Sequence, residues 1–501
     1  SAAAEKAMGA AYQAFGGLRV AEIASIRKII ESGAGNAMES GKRDSETRDR
    51  FISWVGKWIA EGASDIHIEV GAQSAAVSVR IHGQLEHIED IERSVMTLTL
   101  AGMHNAHSEA NTRSKDTWSE ERIQSCMIEA VIKGVRTRLR YQHTPVEPRG
   151  SVSVNMRAVL LDAQSDYKTP EELGYANSHA EAQRQMLAGS AGLFIVCGVT
   201  GSGKSTTLMN SALSIVETRP GVKIRSIESP VEFIMPGVAQ HSVNRGNGGD
   251  VREAFAEAIR TVLRMDPDYI LVGEVRDREE AELCTAAALA GHGVLTSLHA
   301  SSCIDALLRL TEIGVKPTVL AGPKFLSGII YQKLVPLLCP DCKVPYGRAD
   351  LSDYDAGFRR RTEALSRNNG TIYLHNPKGC PTCNHRGIVG QTLASEYLLP
   401  SLDIRRAISA GDLIAAEEAW RALRSRDPAD YTGKYAIEHA LAKVRLGVVS
   451  PFHLEEKLGL LTSAIVEEAL EWGAAEINEH WPMAHALGVP AALLRAKGAP
   501  A

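Results

Sequence analysis

The stretch GVTGSGKSTT, residues 198–207, sits between an apolar run, LFIVC, and a helix-forming segment, LMNSALSIV. No other feature restricts the fold of this chain as tightly. A glycine-rich turn at such a junction lets backbone N–H groups converge on a phosphate. The following helix N-terminus adds partial positive charge, and a lysine can reach the terminal phosphates. The spacing is that of a complete Walker A loop: Gly198, four residues, then Gly203, Lys204 and Ser205. The candidate nucleotide-binding residues are Gly198, Thr200, Gly201, Ser202, Gly203, Lys204, Ser205 and Thr206. Lys204 is placed to neutralise the β and γ phosphates of ATP and Ser205 to ligate Mg²⁺ through its hydroxyl.

A strand–loop–helix unit needs a sheet to belong to. From Gly189 onward the apolar runs LFIVCG, VKIRSIE, YILVGE and GVLTSLHA are short, do not alternate, and are separated by helix-patterned segments. Runs of this kind form a parallel sheet covered by helices on both faces, so residues 189–338 are predicted to be an α/β nucleotide domain. Ligands gather beyond the carboxyl ends of strands in such sheets. YILVGEVRD places Glu274 at one end, where a Walker B acid would hold Mg²⁺, and the glutamate in place of aspartate suggests contact through water. SIESPVEF places Glu228 and Glu232 at another. His292 and His299 bracket the strand of GHGVLTSLHA, where they could sense a γ-phosphate or carry a subunit contact.

Upstream, residues 1–60 read as a helical lead-in closing on the amphipathic WVGKWIAEG. SDIHIEV and AAVSVRI then alternate cleanly, with Ile66, Ile68 and Val70 on one face, and a second alternating pair, VRTRLRY and SVSVNMR, follows. Residues 61–160 are thus a small α/β domain. Its strands place Arg136, Arg138 and Arg140 on one side, with Arg157 at the end of the next strand, a pattern that composition alone reads as a solvated face. Residues 161–188 are polar and read as a linker, with TPEE at 169–172 fitting a capping box. Residues 401–501 are mostly helical and charged.

Four of the eight cysteines, Cys126, Cys197, Cys284 and Cys303, lie among apolar or helical residues and read as buried thiols. The other four form two matched pairs, Cys339-x₂-Cys342 and Cys380-x₂-Cys383, able to close a tetrahedral sulfur site for structural Zn²⁺. The 37 residues between the pairs must make their own excursion, so residues 339–400 are assigned to a zinc-binding module.

A length of 501 residues suggests about three units at roughly 150 residues per domain. No apolar run approaches the ~18 residues that span a bilayer, and a cytoplasmic protein is expected. The net charge of −5 argues against a nucleic-acid partner. The chain starts SAAAEKAMGAA, without an initiator methionine, so a processed or trimmed chain with room for an upstream domain is expected.

In order, SDIHIE, GVTGSGKSTTL, IESPVE, AIRTVLRMDPDYILVGEVRD and GHGVLTSLHA resemble the secretion and pilus-assembly ATPases of bacterial type II secretion and type IV pilus systems. The likeness runs from Ser64 to about Gly459. It implies a RecA-like ATPase domain after a PAS-like N-terminal domain, with Glu228 as general base, Glu274 as the Walker B glutamate, and His292 and His299 as a histidine-box pair. Arg140 and Arg157 would approach the γ-phosphate. One departure is Ser229, where the family usually carries aspartate. The resemblance further implies a homohexameric motor acting on an inner-membrane platform protein, peripheral to that membrane through its partners. The tetracysteine module favours pilus or pseudopilus assembly over retraction. The competing classes are a retraction ATPase and a RecA-like nucleic-acid translocase or helicase. The acidic balance and the lack of a base-stacking aromatic cluster weigh against the translocase. A P-loop small-molecule kinase would leave the zinc module and N-terminal domain without purpose.

Overall fold

Two sheets organise the chain, whose computed structural model describes residues 48–109, 112–113, 117–161, 167–243, 251–367 and 372–462. Residues 1–47 of the expected lead-in and the tail beyond 462 lie outside the described residues. The first sheet contains β1 (Ala63–Val70), β2 (Ser74–Ile81), β3 (Gln84–Glu92), β4 (Gln124–Ile132), β5 (Val135–Val146) and β6 (Ser151–Leu160), in the order β3-β2-β1-β6-β5-β4. All its neighbours are antiparallel. Ile66, Ile68 and Val70 face its core as the alternation predicts. Residues 48–60 form a helix whose Phe51, Val55, Trp58 and Ile59 recur at helical spacing and pack into that same core. The end of the lead-in therefore belongs to this domain. β3 and β4, which carry mixed polarity, extend the two expected strand pairs into six strands.

The second sheet contains β7 (Gly192–Cys197), β8 (Ile224–Glu228), β9 (Val238–Ser242), β10 (Tyr269–Val272), β11 (Gly293–Leu298), β12 (Leu326–Leu338) and β15 (Ile388–Leu398), in the order β15-β12-β7-β11-β10-β8-β9. All pairs are parallel except β12 with β15. Every residue of β7, β10 and β11 is buried, as expected of strands covered on both faces. A two-stranded ribbon of β13 (Val344–Pro345) and β14 (Tyr373–Leu374) and the helix Ala356–Arg367 fill the excursion between the cysteine pairs.

The segment expected as a linker, residues 161–188, holds the helix Asn177–Ala188, whose Ala182, Met186 and Leu187 join the core beneath the large sheet. The TPEE capping box forms, with Thr169 N–H to Glu172 Oε2 at 2.8 Å and Glu172 N–H to Thr169 Oγ1 at 3.3 Å. It closes a single turn, because Gly174 at φ 98° leaves the helical path. Gly174 is there for close approach: a Cβ would lie 2.7 Å from Thr392 Oγ1, and its carbonyl accepts from the buried Lys443 ammonium at 2.7 Å.

β15 lies inside the segment assigned to the zinc module, yet it completes the large sheet. It also anchors the C-terminal helices. The buried Glu396 accepts from Cys303 N–H at 2.8 Å and Ala436 N–H at 3.0 Å, so one carboxylate sits on the N-termini of the helices Cys303–Glu312 and Ala436–Arg445. Burial pushes its pKa up to about 7, against the pull of those two donors.

Candidate active site

Neighbouring parallel strands deliver the site. β7 runs into the Walker A loop, β8 ends at Glu228, and Glu274 and His299 follow β10 and β11. With strands ~4.8 Å apart, their carboxyl ends form one continuous edge. Gly198 adopts φ 153°, and a Cβ there would lie 2.4 Å from the Gln332 carbonyl oxygen, which accounts for the first glycine of the loop. Gly203, at φ 86°, is the N-cap of the helix Lys204–Thr218. The Lys204 ammonium donates to the carbonyls of Gly198 at 2.8 Å and Val199 at 3.2 Å, so it already lies across the loop. Burial pulls its pKa down, and Glu274 opposes that shift.

Beneath the loop is a polar network that no motif announced. Gln332, fully buried on β12, donates through Nε2 to Ser202 O at 2.7 Å. Its Oε1 accepts from Thr207 Oγ1 at 2.9 Å and from the Tyr175 hydroxyl. The loop, its helix, the adjacent strand and the segment entering Asn177–Ala188 are thus tied at one point. A glutamine inside the apolar run IIYQKLVPLL was the available signal, since a buried polar group must find partners.

The two strand-end acids differ in setting. Glu228 Oε1 accepts from Ser226 Oγ at 2.5 Å and Gln240 Nε2 at 3.2 Å. Burial raises its pKa, with those two hydrogen bonds and the Glu232 backbone working the other way. Glu274 Oε1 lies 2.9 Å from His299 Nε2, while Oε2 accepts from Arg276 Nε at 3.0 Å. The cap of the next helix, Arg278–Leu289, is supplied by Asp277, which accepts from Glu280 N–H at 3.1 Å, so Glu274 is left to the site. Burial, with Lys204 and Arg276, keeps the His299 pKa low despite Glu274. Arg276, from the same run as Glu274, was not singled out in the sequence.

His292 is not brought to this cluster. It precedes Gly293, which pairs with Gly192 at the opposite end of the sheet, and its Nδ1 lies 3.1 Å from Ala287 O. The length of β11 separates it from His299, ~20 Å at strand rise.

Arg140 and Arg157 are direct register partners on β5 and β6. Arg157 Nε donates to the buried Asp65 at 2.9 Å. Their neighbour Arg138 reaches the nucleotide domain, donating through Nη1 to Val231 O at 3.2 Å in the loop after Glu228. Ile234 N–H approaches Leu161 O at 3.5 Å beside it. The arginine face is therefore turned toward that loop.

A second centre lies beyond β12. The sulfurs of Cys339, Cys342, Cys380 and Cys383 all fall within 4.8 Å of one another. Cys339–Cys380 is 3.7 Å, and Cys342–Cys383 and Cys380–Cys383 are 3.8 Å. Zn–S bonds of 2.3 Å at tetrahedral angles require about 3.8 Å between sulfurs, so the residues fit the ion. The N–H groups of Cys380 and Gly387 donate to Cys383 Sγ at 3.1 Å each, the kind of outer partner that orients a ligating sulfur. Four thiolate ligands would leave no open position, so an ion held there would be structural. The other four cysteines are buried. Protein purified without chelator should hold about one zinc per chain by metal analysis. Cys380→Ser should lose it and lower the unfolding midpoint by at least about 5 °C, the scale a few kcal/mol sets in a domain of this size. Stoichiometric zinc in that variant would contradict the assignment.

Comparison with known proteins agrees with this geometry. The type II/IV secretion system protein family matches residues 44–456, well over half of the chain. The type II secretion system ATPase E of Vibrio cholerae is 31% identical over 398 residues, covering 79% of this chain and 72% of the relative. The type IV pilus assembly ATPase PilB of Thermus thermophilus is 32% identical over 424 residues, covering 78% of this chain and only 44% of the relative. In fold, the chain is similar to the Legionella pneumophila ATPase DotB, with a TM-score of 0.55 at 22% identity over 81% of this chain and 93% of that one. A loop, two acids and a histidine on one sheet edge, a sulfur cluster beyond it, and a family match spanning both place the chain in one group: it belongs to the type II/IV secretion system protein family.

Proposed function

We propose that this chain is a Mg²⁺-dependent ATPase that drives assembly of a type IV pilus or a type II secretion pseudopilus. The observation that carries the reading is the meeting of Lys204, Glu228, Glu274 and His299 on one sheet edge, with the N-terminal arginine face turned toward the loop after Glu228. ATP would lie on the loop, its phosphates against the first-turn N–H groups of Lys204–Thr218 and the Lys204 ammonium. Mg²⁺ would be held by Ser205 and, through water, by Glu274, where it would neutralise charge on the β and γ phosphates. Glu228 accepts the proton of the attacking water. His299, 2.9 Å from Glu274 through Nε2, would sense the γ-phosphate through that acid. Arginines of the N-terminal sheet stabilise the transferring group. A contact of that kind between domains or subunits supports a hexameric ring working on an inner-membrane platform protein. Among the described residues no helix is long and apolar enough to cross a membrane.

Assembly is favoured over retraction because the tetracysteine cluster is present and relatives named for secretion and pilus assembly match at about a third identity. The test measures ATP turnover with and without single- and double-stranded DNA, and particle mass by light scattering with a non-hydrolysable ATP analogue. Hexamers with the analogue, and turnover indifferent to DNA, are expected. Turnover stimulated many-fold by DNA would move the chain to the translocases, and a strict monomer with analogue bound would remove the ring.

A further inference from the structure

The N-terminal sheet meets the nucleotide-domain part of its own chain on both of its flanks. One contact is Arg138 on β5 with Val231, described above. The other is at the β3 side, and it runs to the metal centre. Arg386 stands three residues past Cys383, and its guanidinium enters the N-terminal domain. Its Nε lies 2.8 and 3.0 Å from the two carboxylate oxygens of Glu86, and its Nη2 2.9 Å from Glu61 Oε2. The arginine side chain is only 12% exposed. Beside it the β2–β3 turn lies against β15, where a Cβ on Gly83 would be 2.8 Å from Gln391 Nε2.

The backbone that presents Arg386 is wound around Cys383 Sγ, one of the four clustered sulfurs. Arg386 N–H donates to Cys383 O at 3.0 Å, Gly387 N–H donates to Cys383 Sγ at 3.1 Å, and His375 Nε2 bonds the Arg386 carbonyl at 2.7 Å. Asn384, His385 and Gly387 are all left-handed, at φ 48°, 59° and 70°. Two consecutive non-glycine residues in that region are held only where surroundings over-determine them, and an ion held by the four gathered sulfurs would supply that constraint. Exposed ion pairs contribute little, but an arginine fork shared between two carboxylates and shielded from water carries direction as well as charge.

We propose that the metal knuckle is an interdomain latch: Arg386, positioned by the metal-held loop, docks onto Glu61 and Glu86 and sets the angle at which the N-terminal sheet presents its arginine face to the loop after Glu228. The two contacts lie on β3 and β5, four strand spacings or ~19 Å apart across the sheet, so a shift at one flank tilts the other. Arg386 is a positioning residue; it touches neither nucleotide nor metal. Its consequence for hydrolysis rests on the proposed role of the N-terminal arginines, whereas the latch itself does not.

The test is hydrogen exchange of the backbone at residues 81–87 in the full chain, with zinc content and steady-state kinetics measured in parallel. Arg386→Ala should keep about one zinc per chain, lose at least ~10-fold of the protection at 81–87, and lower kcat more than it raises the KM for ATP. Removing zinc from the wild type should cost the same protection. Arg386→Glu combined with Glu86→Arg should restore part of it. If Arg386→Ala disturbs the knuckle and loses zinc, the paired Glu61→Gln, Glu86→Gln variant tests the same contact from the other side. Unchanged exchange at 81–87 in the zinc-loaded variants, or protection that survives zinc removal, overturns the latch. Lost protection with unchanged kcat upholds the latch and overturns the role of the arginine face.

Discussion

Glu228→Gln should bind Mg-ATP about as well as the wild type and hydrolyse it at least ~100-fold more slowly, the lower end of what a positioned base contributes. The amide fills the same space and keeps an oxygen for the Ser226 and Gln240 donors, 2.5 and 3.2 Å away, but it cannot take a proton from water. The pH dependence carries the same signature. Burial raises the Glu228 pKa, so the carboxylate becomes protonated, and the base is lost, at a higher pH than an exposed glutamate would be. Activity should fall as pH drops through that raised value, and the fall should be absent from the residual activity of Glu228→Gln. Single-turnover hydrolysis with ATP prebound and Mg²⁺ saturating separates the two strand-end acids. Glu274→Gln should be partly recovered by high Mg²⁺, since its role is to hold the ion. A fast Glu228→Gln beside a dead Glu274→Gln would exchange the two assignments.

Lys204→Ala should reduce turnover by about 1,000-fold, the upper range for removing one charged group from a developing phosphoryl transition state. The ammonium makes its hydrogen bonds to Gly198 O and Val199 O, both within the loop, so its loss leaves the loop's own glycine geometry and the Gln332 network beneath it in place. The variant should therefore unfold near the wild-type midpoint while losing activity. Near-wild-type turnover would overturn the nucleotide assignment. A variant that is inactive because it is unfolded would instead show a lowered midpoint, which circular dichroism during heating distinguishes.

The candidate site is legible in the sequence where local pattern and local geometry coincide. Walker A spacing dictates its own loop, because only glycine fits at Gly198 and Gly203. Glu228 and Glu274 were legible because an apolar run followed by an acid marks a strand end. His292 shows the limit of that logic: the same motif holds both histidines, but a strand has two ends and only one adjoins the Walker A loop. Arg138 was visible as one of three alternating arginines, yet which of them would reach Val231 depended on how two domains dock.

By itself, the sequence determined the glycine-rich loop, the presence of buried parallel strands, the alternating N-terminal strands and the two matched cysteine pairs, since each follows from residues close together in the chain. Only the tertiary structure decided what distant segments do together. Tyr175, Thr207 and Gln332 meet across 157 positions of sequence. β15 returns from the metal excursion to close the large sheet, and Glu396 on it caps two helices that begin 133 residues apart, at Cys303 and Ala436. Such contacts satisfy buried polar groups, and a buried group's partner is chosen by proximity in space, which no local periodicity records.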